Sequence, residues 1–189
     1  MKQLSKTGYQ EVETAGYAGL TVRQFRIALD EAGLKCPSAH LPLGSDDLSP
    51  IFEDAHTLGA HYAVSSMLRI YGASSTLTLD GYKKMAAKMN NLGQKAKEAN
   101  LQYTYHNDDV EFQDLGGGKI GYDVLLRETD AELVKFELDC GWMFIAGYSP
   151  EKYFHNYPNR YTMLHIKDFV KSSARSTSLN STARPQAPS

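Results

Sequence analysis

The stretch Leu133-Val134-Lys135-Phe136-Glu137-Leu138-Asp139 decides how this chain is read. Side chains alternate across a strand, so Phe136 and Leu138 take one face while Glu137 and Asp139 share the other. A strand of this kind buries an apolar side and carries carboxylates toward its carboxyl end. Burying a carboxylate is costly unless a cation or hydrogen bonds meet it. The competing reading of Asp139 is a helix cap for a segment that begins at Gly141.

Similar alternation recurs along the chain. Strand-like runs lie at 9–13, 35–40, 61–65, 101–106 and 161–166. Between them the apolar period becomes helical. Thr21 caps a helix with Gln24 as its capping-box partner, Val22, Phe25, Leu29 and Ala32 share a face, and Gly33 ends it. Further helices are expected over 47–58, 80–100, 122–128 and 150–156. A hairpin is expected where 110–112 and 119–120 flank the glycines at 116–118.

Strands that alternate with helices imply right-handed crossovers and a parallel sheet. An open doubly wound sheet gathers its functional side chains at one switch point, whereas a (β/α)8 barrel places them at the carboxyl end of strand after strand. Here Glu13, His40, Ser65, His106, Asp139 and His165 each close a strand. The expected fold is therefore α/β, a partial (β/α)8 TIM barrel of about six parallel strands. A complete barrel has eight strands, and residue 1 falls inside a helix, so the chain reads as a barrel fragment truncated at both ends. Residues 1–169 form the domain. Residues 170–189 are rich in Ser and Thr and carry no acid, and they are expected to be a disordered tail.

Of the 189 residues 42% are apolar and 22% charged, values of a globular chain. Neither a bilayer-spanning run nor a secretory leader is visible, so the expected compartment is cytoplasmic and no membrane partner is expected. Cys36 and Cys140 form no metal-knuckle spacing. Twenty basic residues are balanced by 22 acids, which leaves no basic surface for nucleic acid. Gly116-Gly117-Gly118-Lys119 is followed by Ile120 and lacks the earlier glycine of a phosphate loop. The sequon at Asn180 lies in the tail.

The chemistry concentrates at three strand ends. In Tyr105-His106-Asn107-Asp108-Asp109-Val110-Glu111-Phe112, a His and several acids can supply both metal ligands and a carboxylate base. In Leu164-His165-Ile166-Lys167-Asp168, His165 and Lys167 face the same side, and the lysine suits an anionic or enolate oxygen. With Asp139 between them, His106 and His165 point to one mixed nitrogen and oxygen metal site.

These segments, with Gly8-Tyr9-Gln10-Glu11-Val12-Glu13 and Tyr122-Asp123-Val124-Leu125-Leu126, resemble the sugar phosphate isomerase/epimerase family of the xylose isomerase-like TIM barrel superfamily, in order from about Lys2 to Phe169. The resemblance implies a divalent cation (Mn, Mg, Zn or Co) at the barrel mouth and a sugar or keto-sugar bound through its oxygens. It implies that Asp139 and His165 are metal ligands and that either His106 or Glu111 is a third. A ligand on the last strand has no counterpart here. His40 and Trp142 match positions that line the sugar pocket, as substrate-binding residues alongside Lys167. Asp108 stands where relatives often carry a second histidine.

The expected function is a metal-dependent sugar (phosphate) isomerase or epimerase. Glu111 moves a proton next to a carbonyl and Lys167 stabilises the developing charge. The alternatives are a keto-sugar dehydratase or lyase on the same site, and a non-catalytic remnant. A nuclease of the same superfamily ranks last. Small sugars are the expected partners, and a homo-oligomer is compatible with this class.

Overall fold

The computed structural model describes residues 1–66 and 78–167. The tail expected at 170–189, the domain end at 169, Asp168 and the Asn180 sequon lie outside the described residues.

The elements run α1 (Lys2–Lys6), β1 (Glu11–Thr14), α2 (Val22–Ala32), β2 (Lys35–His40), α3 (Ser49–Leu58), β3 (Tyr62–Ser66), α4 (Leu79–Glu98), β4 (Gln102–His106), a 3-10 turn (Val110–Phe112), α5 (Gly121–Glu128), β5 (Val134–Asp139), α6 (Cys140–Ile145), α7 (Pro150–Asn156) and β6 (Tyr161–His165). The strands form one sheet in the order β1-β2-β3-β4-β5-β6. Every neighbouring pair is parallel. Because strand order follows chain order without reversal, right-handed crossovers set the described connecting helices on one face. A doubly wound sheet needs a reversal, and this sheet has none.

The other face is concave. Laid flat, the five steps from β1 to β6 would separate these strands by roughly 24 Å at the usual spacing. Yet His165 Nε2 on β6 lies 3.6 Å from Glu13 Oε2 on β1. The sheet is therefore curled into a half-barrel, with the strand ends converging on its inner side. Two register shifts, between Glu11 and Glu13 and between Phe136 and Glu137, increase the local twist.

Alternation sorts the strand residues between the two faces. On β4, Tyr103 and Tyr105 turn outward to the helices and Thr104 and His106 turn inward. The Tyr105 ring meets Phe136 at 6.0 Å, and Phe136 meets Tyr122 of α5 at 5.6 Å. Met85 and Met89 of α4 join this outer core. Gly121 starts α5 directly on the Tyr82 ring, where a Cβ would stand 2.1 Å from Cζ. A larger residue at that point would push α5 away from α4.

Local signals behave as their chemistry dictates. Thr21 and Gln24 form the capping box of α2, and Gly33 ends the helix at φ 68°. The expected hairpin does not form. Residues 110–112 make a 3-10 turn, and a single antiparallel bridge, Asp114 to Ile120, is what remains of the pairing. Glu111 and Phe112 are buried, and two-sided burial of so short a segment is incompatible with an exposed hairpin arm. Among the described residues no helix is long and apolar enough to cross a membrane. Cys36 and Cys140 are both free thiols.

Candidate metal centre at the strand ends

Five strands deliver polar side chains to the carboxyl rim of the concave face: Glu13 from β1, His40 from β2, His106 from β4, Glu137 and Asp139 from β5, and His165 from β6. Lys167 follows two residues beyond His165. Parallel pairing sets this convergence, since His106 is in register with Glu137 and Asp139 with His165. The strand β3 contributes Ser66 beside His106, while Ser65 faces outward and bonds the Tyr103 hydroxyl at 3.0 Å.

The contacts are dense. His40 Nε2 lies 2.6 Å from Glu13 Oε1 and 3.3 Å from Glu137 Oε2. His165 Nε2 lies 3.2 Å from Glu137 Oε1, and its Nδ1 lies 2.9 Å from His106 Nε2 and 3.6 Å from Asp139 Oδ2. His106 Nε2 is 3.4 Å and Lys167 Nζ 2.5 Å from Asp139 Oδ2. One ligand atom from each of His40, His106, Glu137 and His165 fits within 4.8 Å of the others, so this group could hold a metal ion. His106 Nδ1 is buried without a hydrogen-bond partner. Buried oxygens of Glu13, Glu137 and Asp139 meet cationic side chains but no well-angled donor.

The electrostatics follow from three buried or half-buried carboxylates facing one another. Burial alone would raise the Asp139 pKa, but the close side chains of His106, His165 and Lys167 overcome it and hold the carboxyl well below its ordinary range. Glu13 is likewise held low against burial, by His165 and His40. His165 is pushed up to about 11 by Asp139, Glu13 and Glu137 in turn. Burial pulls His40 down, yet its bonds to Glu13 and Glu137 raise it to about 9. The rim thus demands positive charge, as imidazolium protons or as a cation.

The two carboxylate oxygens of Asp139 do different things. Its Oδ1 accepts from Trp142 N–H at 2.9 Å and caps α6, a helix absent from the sequence reading except as that alternative. Its Oδ2 remains turned to His106, His165 and Lys167. The Trp142 ring supports Lys167, whose Nζ lies 4.8 Å from the ring centroid. His40, expected to line a sugar pocket, stands inside the cluster.

Glu111 is not brought to this group. Its Oε1 accepts from the Tyr105 hydroxyl and its Oε2 from Asp108 N–H at 3.1 Å. Tyr105 and His106 are adjacent and alternate, so Glu111 lies on the helix side of β4 while His106 lies on the concave side. Burial raises its pKa to about 8. Conversely, Glu13 and Glu137 belong to the cluster although the sequence motifs do not mark them as metal ligands. Glu137 carries a signal, since it shares a strand face with Asp139.

Comparison with known proteins agrees with this architecture. A family model described as xylose isomerase-like TIM barrel matches residues 1–183. An inosose dehydratase of Lacticaseibacillus casei is 28% identical over 100 residues, covering 51% of this chain and 32% of that protein. The matched part thus spans about a third of the length of that curated relative. Two crystal structures of sugar phosphate isomerase/epimerases from Parabacteroides distasonis ATCC 8503 are similar in fold and sequence. One has a TM-score of 0.76 and 26% identity, covering 94% of this chain and 75% of the other. The second has a TM-score of 0.74 and 25% identity, covering 94% and 71%.

Proposed function

This chain belongs to the xylose isomerase-like TIM barrel family, and from that premise we propose that it is a divalent-metal-dependent sugar isomerase or epimerase. The observation that carries the proposal is the convergence of His40, His106, Glu137 and His165 within 4.8 Å. The donor set fits such an ion: imidazole nitrogens and carboxylate oxygens suit Mn, Mg, Zn or Co, and buried acceptors already stand without proper donors. His106, Glu137 and His165 would hold it, with Asp139 Oδ2 beside them. When bound, a divalent ion polarises a carbonyl and its neighbouring hydroxyl, which acidifies the C–H between them.

The chain's own residues then divide the work. Glu137 and Asp139 are 1% and 0% exposed at their side chains, whereas Glu13 keeps 22%. Glu13 is therefore the rim carboxylate a substrate can reach, and with His40 at 2.6 Å it forms a pair able to take a proton from carbon and return it. Lys167 directs its ammonium at the oxygen where negative charge develops. Trp142 holds that lysine in place and offers an apolar face to the C–H side of a sugar. Glu111, the base expected from sequence, braces the loop after β4 from the helix side.

The same proton removal serves a second reading, a keto-sugar dehydratase, in which the group β to the carbonyl then leaves as water. The similarity to an inosose dehydratase favours this alternative. One experiment treats both. Protein loaded with Mn(II) is incubated with a panel of keto-sugars and inososes in deuterium oxide, with and without a chelator, and followed by NMR. Chelator-sensitive deuterium incorporation beside the carbonyl is the expected result, with isomer formation marking the first reading and water loss the second. Absence of exchange on every substrate would refute both.

A further inference from the structure

We propose that Asn107 is a positioning residue for this centre, a side-chain clamp that locks Asp139 to the end of β4. The inference rests on the cation reading above. The β4–β5 ladder has His106 opposite Glu137 as its final pair. Beyond it, backbone pairing stops, yet Asp139 is fully buried and its N–H and C=O on the β4 side still require partners. The Asn107 amide supplies them. Its Oδ1 accepts from Asp139 N–H at 3.0 Å and its Nδ2 donates to Asp139 C=O at 3.3 Å.

The amide thus replaces one residue of strand and carries the ladder past its end. Asn107 is itself fully buried, so water offers no substitute. Two features of the centre depend on this anchor. Asn107 follows His106 directly, so the clamp ties the His106 backbone to that of Asp139 and sets the 3.4 Å between their side chains. It also holds Asp139 in the extended conformation, φ −78° and ψ 95°, from which Oδ1 caps α6 while Oδ2 faces the rim cations.

The effect of losing such an anchor is known in scale: outer-shell partners of metal ligands typically contribute ten- to hundredfold in affinity. The same molecule holds a control. Asn90 on α4 makes a more exposed two-pronged clamp, donating to Glu128 C=O at 3.1 Å and accepting from Asp130 N–H at 2.8 Å, in a loop before β5. Asn107→Ala and Asn90→Ala therefore remove the same chemistry from opposite ends of the sheet.

The test is a Co(II) titration of wild type and both variants, read by the visible ligand-field spectrum and by affinity, with a thermal melt of each. The inference expects Asn107→Ala to lose tenfold or more in affinity and to change its spectrum, while Asn90→Ala melts lower but binds as wild type does. Equal binding by Asn107→Ala and wild type, or equal weakening in both variants, overturns it. Wild-type protein that takes no cobalt removes the cation reading and the inference with it. Should Asn107→Ala not fold, amide exchange in the wild type decides. The Asp139 N–H is expected to be protected, and exchange at the rate of an open loop overturns the clamp.

Discussion

Replacing Glu111 by Gln should stabilise the protein at pH 8 and leave it nearly unchanged at pH 4.5. The carboxyl is fully buried, and its pKa rises from an ordinary 4.5 to about 8. Between these values the native state keeps a proton that the unfolded chain releases, so the stability this group contributes falls as pH rises. Each tenfold change in proton affinity is worth about 1.4 kcal/mol, which places the ceiling of the penalty at about 5 kcal/mol. Glutamine mimics the protonated acid: its oxygen accepts from Asp108 N–H and its amide donates to the Tyr105 hydroxyl oxygen. Part of the ceiling is lost to imperfect geometry, and the expected gain at pH 8 is on the order of 2–4 kcal/mol. Urea unfolding of both proteins from pH 4.5 to 8.5 measures it. Other titrating groups are common to both chains and cancel in the difference. Parallel stability curves, or a variant that loses ground as pH rises, would refute the burial argument.

Other substitutions separate the duties of single side chains at the rim. Asp139→Asn should preserve the cap on Trp142 while losing tenfold or more in Mn(II) affinity, and Asp139→Ala should lose about 1 kcal/mol of stability in addition; calorimetric titration and urea melts distinguish the two. Lys167 lies 2.5 Å from Asp139 Oδ2, where it competes with an incoming cation, so Lys167→Met should bind Mn(II) about tenfold more tightly yet convert substrate more slowly. Unchanged or weaker binding by Lys167→Met would mean that the ammonium does not contend for that oxygen.

How far the molecule is legible from its sequence depends on how local each signal is. The helix from Thr21 to Gly33 is written in a capping box, an apolar stripe and a glycine, all within one element, and it forms as read. The alternation in Phe136-Glu137-Leu138-Asp139 is equally local, and it places both acids on the concave face. Glu111 shows the limit. Its nearness in sequence to His106 suggests a shared site, but the chain turns at 110–112 and carries the carboxylate to the far side of the strand, where Tyr105 receives it. Which side of a sheet a loop residue reaches is set by tertiary packing, not by spacing. Glu13 and His40 join the centre through the curl of the whole sheet, a property of six strands together that none of them encodes alone. The glycines at 116–118 mark a turn in either reading, and the burial of Phe112 decides against a hairpin.

If residues remote in sequence share one divalent cation at the strand ends, crystals of the chain soaked in Mn(II) and measured at an anomalous wavelength will reveal it. A single strong peak is expected, bonded to His106, Glu137 and His165 at about 2.1–2.3 Å, with Asp139 Oδ2 adjacent. A rim without a peak under saturating Mn(II), or a peak bound by other acids such as Asp46 and Asp47, would contradict it.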